Sequence, residues 1–124
     1  MSDINKKRRQ IRRKRKISIR KKIHGTADRP RVAVNRSHMA IYAQLVDDDA
    51  GRTILSSDSR RAASVETPEG LEGKCAQAYT VGRAIADKAK EQGIAAMVFD
   101  RSGYLYHGRV AALARGLRDG GIKV

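Results

Sequence analysis

The chain has 124 residues and a net charge of +14, which suits a single domain that binds a polyanion. No apolar run approaches the roughly 20 residues that a membrane-spanning helix requires, and no signal-peptide pattern is evident at the N-terminus. A single cysteine excludes an internal disulfide and favours a reducing, cytoplasmic setting, and with only three histidines it disfavours a four-ligand zinc site.

The positive charge is concentrated near the N-terminus. Residues 1–31 carry fourteen lysines and arginines against two acids, whereas residues 32–124 carry thirteen bases against eleven acids. We therefore predict a basic N-terminal arm at 1–28 and one globular α/β domain at 29–124, because a proline at position 30 favours an extended backbone before it. Mutual repulsion among the charges predicts an arm that is disordered, or helical only when RNA is bound.

The arm is predicted to bind nucleic acid. Each phosphate that it neutralises would release counterions, so binding should weaken steeply with salt. Other interpretations are a solvated tail, a nuclear-localisation signal, a membrane-surface helix or a transit peptide. The isoleucines of residues 5–25 form no sustained helical stripe, and serine is scarce, which disfavours the last two. The candidate RNA contacts of the arm are Arg8, Arg9, Arg12, Arg13, Arg15, Lys16, Arg20, Lys21 and Lys22.

The domain begins with three predicted strands. Alternating apolar residues indicate strands at 31–35, 40–46 and 52–56, which together predict an antiparallel meander. A polar loop then leads to a helix at about 70–92, where small and apolar residues recur every three or four positions. Gly82 lies on that apolar face and would permit close approach to the sheet.

A buried strand at 94–99 and a helix at 110–117 complete the element order βββαβα, and Gly120-Gly121 ends the last helix. The predicted fold class is α/β, with a small mixed sheet of about four strands packed by two helices and a basic N-terminal extension. If the long helix crosses over within one sheet, the fourth strand runs parallel to the third.

Cations, hydroxyls and tyrosines follow the three strands that run in the same direction. The carboxyl ends of strands one, three and four would lie along one edge of the sheet, with the acidic turn 47–51 at the opposite edge. Arginine and hydroxyl groups suit phosphates and 2′-hydroxyls, and tyrosine offers a face to unstacked bases. The residues predicted at this edge are Arg36, Ser37, His38, Ser57, Ser59, Arg60, Arg61, Arg101, Tyr104, His107 and Arg109.

Several of these residues also have simpler interpretations. Tyr104 or Tyr106 could belong to the core, and His107 could cap a helix. Asp100 is predicted to be a turn residue or an arginine partner, since a carboxylate facing phosphate would repel it. Asp100 and His107 with Ser102 match no catalytic triad spacing, and the chain has no phosphate-binding glycine loop. We therefore predict no catalysis, cofactor, metal or small-molecule substrate.

Three segments resemble the bacterial large-subunit ribosomal protein eighteen family. They are GTADRPRVAVNRS (25–37), IYAQLVDD (41–48) and FDRSGYLYHGRV (99–110), and the resemblance covers essentially the whole chain. The chain departs from the family pattern at Asn35, where an aromatic is common, and at 38–40, where a cation is missing.

The resemblance implies a structural constituent of the large ribosomal subunit in the cytoplasm. Such a protein would bind 5S rRNA, help attach it to 23S rRNA in the central protuberance, and neighbour the fifth large-subunit protein. The alternative is a general nucleic-acid chaperone or DNA-compacting protein, which would need only the arm. By position in the motifs, the candidate rRNA contacts are Arg29, Arg31, Arg36, Ser37, Tyr42, Gln44, Arg101, Tyr104, His107 and Arg109.

Overall fold

The computed structural model describes residues 3–60 and 67–124. None of the helices in these two ranges is long and apolar enough to cross a membrane. The elements in chain order are α1 (Asp3–Lys22), β1 (Arg31–Arg36), β2 (Ile41–Asp47), β3 (Arg52–Asp58), α2 (Gly73–Glu91), β4 (Val98–Asp100) and α3 (Arg109–Asp119).

The four strands form one mixed sheet in the order β3-β2-β1-β4. β1 and β3 both pair antiparallel with β2, and β4 pairs parallel with β1. The predicted α/β class and strand directions are confirmed, so β1, β3 and β4 end at the same edge. β4 lies beside β1, which brings the loops after these two strands together. β3 and β4 lie at opposite ends of the strand order, so the loop after β3 is three strand spacings, or about 14 Å, away from β4.

The hydrophobic core lies between one face of the sheet and the two helices α2 and α3. The small residues of α2 let α3 approach closely. A side chain at Gly82 would meet the carbonyl oxygen of Leu113, and one at Gly116 would meet the carbonyl oxygen of Tyr79. The prediction that Gly82 approaches the sheet is wrong, because the two helices cross at these glycines. The core residues from the sheet include Val32, Val34, Ile41, Ala43 and Leu45.

The predicted strand at 94–99 is wrong in its first half. Only Val98–Asp100 joins the sheet, through pairing with β1. The preceding residues pair instead with the C-terminus, where the Met97 amide donates to the Lys123 carbonyl and the Lys123 amide to the Ala95 carbonyl, both at 2.9 Å. Apolar character therefore predicted burial correctly for Met97, but could not identify its backbone partner.

Helix α1 lies within the residues predicted to form the arm, and it has no buried residue. It reaches the body at two places. The Arg20 side chain binds Asp100, and the backbone of Arg12 lies against Gly103. Both contacts are on the side of the sheet away from α2 and α3, because Asp100 pairs with Ala33 and their side chains alternate with those of the core-facing valines. That the order of the arm depends on RNA stays a prediction.

Candidate nucleic-acid interface

The loops after β1 and β4 meet at the edge predicted from the sequence. The Tyr104 hydroxyl donates to the Arg36 carbonyl at 3.2 Å, and the Arg109 guanidinium donates to the Ser37 carbonyl at 3.1 Å. Arg101 closes its own turn by donating to the Tyr104 carbonyl at 3.1 Å. The predicted clustering of these residues is therefore confirmed for the β1 and β4 loops.

Two guanidinium groups stand over the ring of Tyr104. Their central carbons lie 4.9 Å (Arg12) and 4.8 Å (Arg36) from the ring centroid, within the range of cation–π attraction. The ring is half-buried and packs against the core. Tyr104 therefore holds two arginines in place, and a contact of its ring with RNA stays a prediction. Tyr106 is exposed, and its hydroxyl accepts a hydrogen bond from Arg118 at 2.8 Å.

A buried carboxylate ties α1 to the body. The Asp100 side chain is fully buried, and its Oδ2 accepts hydrogen bonds from Arg31 at 2.7 Å and Arg20 at 3.1 Å. The Asp100 Oδ1 accepts from the Ser102 amide at 2.8 Å, which forms a tight turn. The prediction that Asp100 is an arginine partner and turn residue is confirmed. Two arginines compensate its charge, as a buried carboxylate requires.

Arg31 has a structural role between two carboxylates. Its Nε and Nη2 bind Asp48 in a bidentate pair, each at 2.9 Å, while its Nη1 binds Asp100. Only 12% of the Arg31 side chain is exposed, so its guanidinium is not positioned to meet RNA as the resemblance implied. The Arg31 hydrogen bonds lower the pKa of Asp48 to about 2, with a further contribution from the Gly25 amide. Asp48 in turn raises the pKa of Arg31.

The turn after Asp100 is strained and closely packed. Ser102 has a φ of 53°, in the left-handed region that non-glycine residues rarely adopt, at a cost of about 1–3 kcal/mol. Gly103 follows with a φ of 81°, and any side chain there would meet the backbone of Arg12 in α1. Ser102 is 3% exposed, and its Oγ has no hydrogen-bond partner within residues 3–60 and 67–124. This geometry brings a strained, unpaired hydroxyl next to α1.

A cleft of about 510 Å³ separates α1 from the body at this turn. Its walls combine cations from one side of α1 with polar and aromatic groups of the body. The lining residues are Arg9, Arg12, Arg13, Lys16, Ile17, Arg20, Asn35, Ser102 and Tyr104.

The remaining predicted contacts are distributed over several surfaces. Ser57 pairs with Ala43, so its side chain is on the core-facing side of β3 and only half-exposed. Tyr42 and Gln44 alternate with the buried residues of β2 and face the other side. Ser59 is hydrogen-bonded to the Ile41 amide, and Arg61 lies outside the described residues. The exposed candidates are Arg8, Arg9, Arg12, Arg13, Arg15, Lys21, Lys22, Arg29, Arg36, Ser37, His38, Arg60 and His107; Lys16, Arg101 and Arg109 are half-buried.

Sequence reasoning missed the roles of Asn35 and Ser102 in the cleft. The sequence presents Ser102 only as a nucleophile without a base, and Asn35 only as a departure from the family pattern. A usable signal existed for Ser102, because an aspartate two residues before a serine is typical of a turn in which the carboxylate accepts from the backbone. No local signal indicated that Asn35 would face α1.

The chain is similar to known large-subunit ribosomal proteins over nearly its whole length. The family model described as ribosomal L18 of archaea, bacteria, mitochondria and chloroplasts matches residues 6–124. Large ribosomal subunit protein uL18 of Symbiobacterium thermophilum is 46% identical over 94% of each chain. The uL18 proteins of Lysinibacillus sphaericus and Pelotomaculum thermopropionicum are 49% identical (92% of each chain) and 50% identical (91% of this chain, 92% of the relative).

The charge pattern alone is compatible with a ribosomal protein and with a general nucleic-acid chaperone, and these matches favour the ribosomal protein. The family consists of structural ribosomal proteins and not of enzymes, and its bacterial members act in cytoplasmic ribosomes. The chain belongs to the ribosomal L18 family, and it is a structural protein of the large ribosomal subunit.

Proposed function

We propose that this protein binds 5S rRNA and helps attach it to 23S rRNA in the central protuberance of the large subunit. One observation carries the proposal: cations of α1 line the same cleft as Asn35 of β1 and Ser102 and Tyr104 of the loop after β4. One RNA could therefore contact both at once. The arm would supply sequence-independent attraction to phosphates, and the rigid edge would supply recognition of shape.

The proposed contacts follow from charge, exposure and position. The proposed contacts of the body are Arg29, Arg36, Ser37, Arg101, Tyr104, His107 and Arg109. The proposed phosphate contacts of α1 are Arg8, Arg9, Arg12, Arg13, Arg15, Lys16, Arg20, Lys21 and Lys22. Tyr42 and Gln44 would contact RNA from the sheet face that carries Asn35. Arg31 and Ser57 would act through the structure of the body, because the first is paired and the second faces the core.

The proposed partners are 5S rRNA, 23S rRNA and neighbouring ribosomal proteins, among them the fifth large-subunit protein. No cofactor is part of the proposal. The arm would be ordered as the helix α1 only when RNA is bound, because phosphates relieve the repulsion among the twelve lysines and arginines of residues 1–28.

The first experiment measures binding to 5S rRNA at several salt concentrations, with transfer RNA as the competitor. A complex that resists the competitor at moderate salt is expected if the body recognises the shape of 5S rRNA. Equal displacement by transfer RNA, with binding lost as salt rises, would contradict the proposal. That result would favour a general nucleic-acid chaperone that depends on the arm alone.

A further inference from the structure

Tyr106 is the most exposed aromatic side chain of the protein. It is 47% exposed, whereas the other four aromatic side chains are buried or half-buried. Leu105 beside it is 59% exposed, so the loop between β4 and α3 presents two consecutive apolar side chains to solvent. Adjacent exposed apolar groups at an interface are candidates for direct contact with a partner.

Two contacts hold the Tyr106 ring in one orientation. Phe99 of β4 packs against it with the ring centroids 6.0 Å apart and the ring planes at 88°. Arg118 of α3 donates a hydrogen bond to the Tyr106 hydroxyl at 2.8 Å. Because the ring is already fixed, binding a partner costs little side-chain entropy. The exposed part of the ring is therefore a preformed contact surface.

The charges around Tyr106 favour RNA as the partner. Arg101 and Arg109 lie within five residues of it along the chain, and Arg109 also reaches the loop after β1 through the Ser37 carbonyl. The nearest carboxylate along the chain, Asp100, is buried and neutralised by two arginines. RNA presents a flat base and a phosphate at every nucleotide, which suits an exposed ring among cations.

We propose that the exposed ring of Tyr106 stacks on an unpaired base of the bound RNA, with Leu105 packing against the adjoining sugar. The inference rests on the proposed function and deepens it, because it assigns a base-binding site to the loop between β4 and α3. Stacking requires a base that has left its helical stack, so this site recognises a loop or a bulge and not a duplex.

Tyr106→Leu removes the ring and keeps an apolar side chain. Its affinity for 5S rRNA should fall about 5- to 100-fold, the loss typical of one stack between a base and an aromatic ring. The slope of log affinity against log salt should not change, because no phosphate contact is lost. The variant should fold, since Tyr106 is exposed and lies outside the hydrophobic core, and thermal unfolding of the free protein measures this.

Tyr106→Phe is the matched variant, because it keeps the ring and loses only the hydroxyl that binds Arg118. It should retain most of the affinity that Tyr106→Leu loses. If Tyr106→Phe loses as much affinity as Tyr106→Leu, the hydroxyl and not the ring makes the contact, and the inference is wrong.

A fully paired RNA duplex separates base stacking from other roles of the ring. The bases of a duplex are stacked on one another, so wild type, Tyr106→Leu and Tyr106→Phe should bind it equally well. If Tyr106→Leu loses the same factor of affinity for the duplex as for 5S rRNA, the ring contacts the backbone or supports the fold. That result would overturn the assignment to an unpaired base.

The outcomes distinguish the inference from the proposed function. If the wild type fails to prefer 5S rRNA over transfer RNA, the proposed function is wrong whatever the variants do. If it prefers 5S rRNA but Tyr106→Leu binds as tightly as Tyr106→Phe, only the inference fails. Normal binding of Tyr106→Leu to 5S rRNA, with loss of the ternary complex with the fifth large-subunit protein, would assign the ring to a protein partner and overturn the inference.

Discussion

Arg31 and Asp100 illustrate how single side chains organise this interface. Asp100 is fully buried at the end of β4, and Arg31 joins it to Asp48 at the start of the β2–β3 turn. Removing one member of a buried ion pair leaves the other uncompensated, which costs more than the pair contributes. These charges therefore hold the body together and also position Arg20, the residue through which α1 reaches Asp100.

The depressed pKa of Asp48 predicts how stability depends on pH. The pKa falls from 3.8 to about 2 in the folded state, mainly through the Arg31 hydrogen bonds. The stabilisation is present above the unfolded pKa and is lost as pH falls from about 5 towards 2. After allowance for solvent screening, we expect Asp48→Asn to remove about 1–2 kcal/mol of unfolding free energy at pH 7. Urea unfolding at several pH values measures this, with exposed Asp28→Asn as the control.

Asp48→Asn should also flatten the fall in stability between pH 5 and pH 2. If the wild type and Asp48→Asn lose stability in parallel over that range, the Asp48–Arg31 pair does not govern acid unfolding.

His24 gives a second prediction at the scale of one residue. Its Nε2 lies 2.7 Å from Asp49 Oδ1, and this hydrogen bond raises the pKa of His24 above 6.5. A raised pKa stabilises the folded state below pH 6.5, and the effect disappears as pH rises through the folded pKa. NMR titration of the imidazole should show the pKa of His24 falling towards 6.5 in Asp49→Asn. An identical titration in both proteins would show that Asp49 has no influence.

At the scale of elements, the crossing of α2 and α3 depends on glycine. A side chain at Gly82 would meet the backbone of α3, and backbone atoms cannot move aside as a flexible side chain can. Gly82→Ala should therefore cost at least about 2 kcal/mol of unfolding free energy, despite the better helix propensity of alanine. The midpoint of thermal or urea unfolding provides the measurement.

Gly93→Ala is the comparison for this substitution. Gly93 has a φ of 77° and nothing within 4 Å of an added side chain, so only backbone strain of about 1–2 kcal/mol is expected. If the two variants are destabilised equally, close packing of α2 against α3 contributes little.

At the scale of the whole molecule, the arm and the body should affect RNA binding differently. Replacing Arg12, Arg13 and Arg15 with glutamine should reduce the salt dependence of log affinity by about 0.7–0.9 per lost phosphate contact. Arg109→Ala should instead reduce the preference for 5S rRNA over transfer RNA, because Arg109 joins the two recognition loops through the Ser37 carbonyl. Binding curves over a range of salt concentrations measure both effects.

Arg115→Ala controls for the loss of one arginine from α3, since Arg115 is exposed and faces Asp119 at 3.9 Å. Its RNA preference should match that of the wild type. If the arm and Arg109 variants alter slope and preference alike, the proposed division between arm and body does not hold.

Much of the fold could be predicted because its signals are local. Apolar periodicity indicated three of the strands and both core helices within a few residues, and strand directions followed from the order of the elements. Pairing was harder to predict. The residues before β4 pair with the C-terminal residues around Lys123, and β4 itself lies beside β1. Both contacts join distant parts of the chain.

The sequence alone determined the class of partner and the edge that carries the candidate site, because charge is read directly from the residues and strand direction follows from the order of the elements. It indicated a basic arm, a nearly neutral α/β domain and a cluster of cations after β1, β3 and β4, of which the structure brings together those after β1 and β4. Only the tertiary structure decided that Ser102 and Asn35 line a cleft with α1, and that Arg31 is paired between two carboxylates. The physical reason is that burial and ion pairing depend on distances between residues far apart in the chain, which no local pattern encodes.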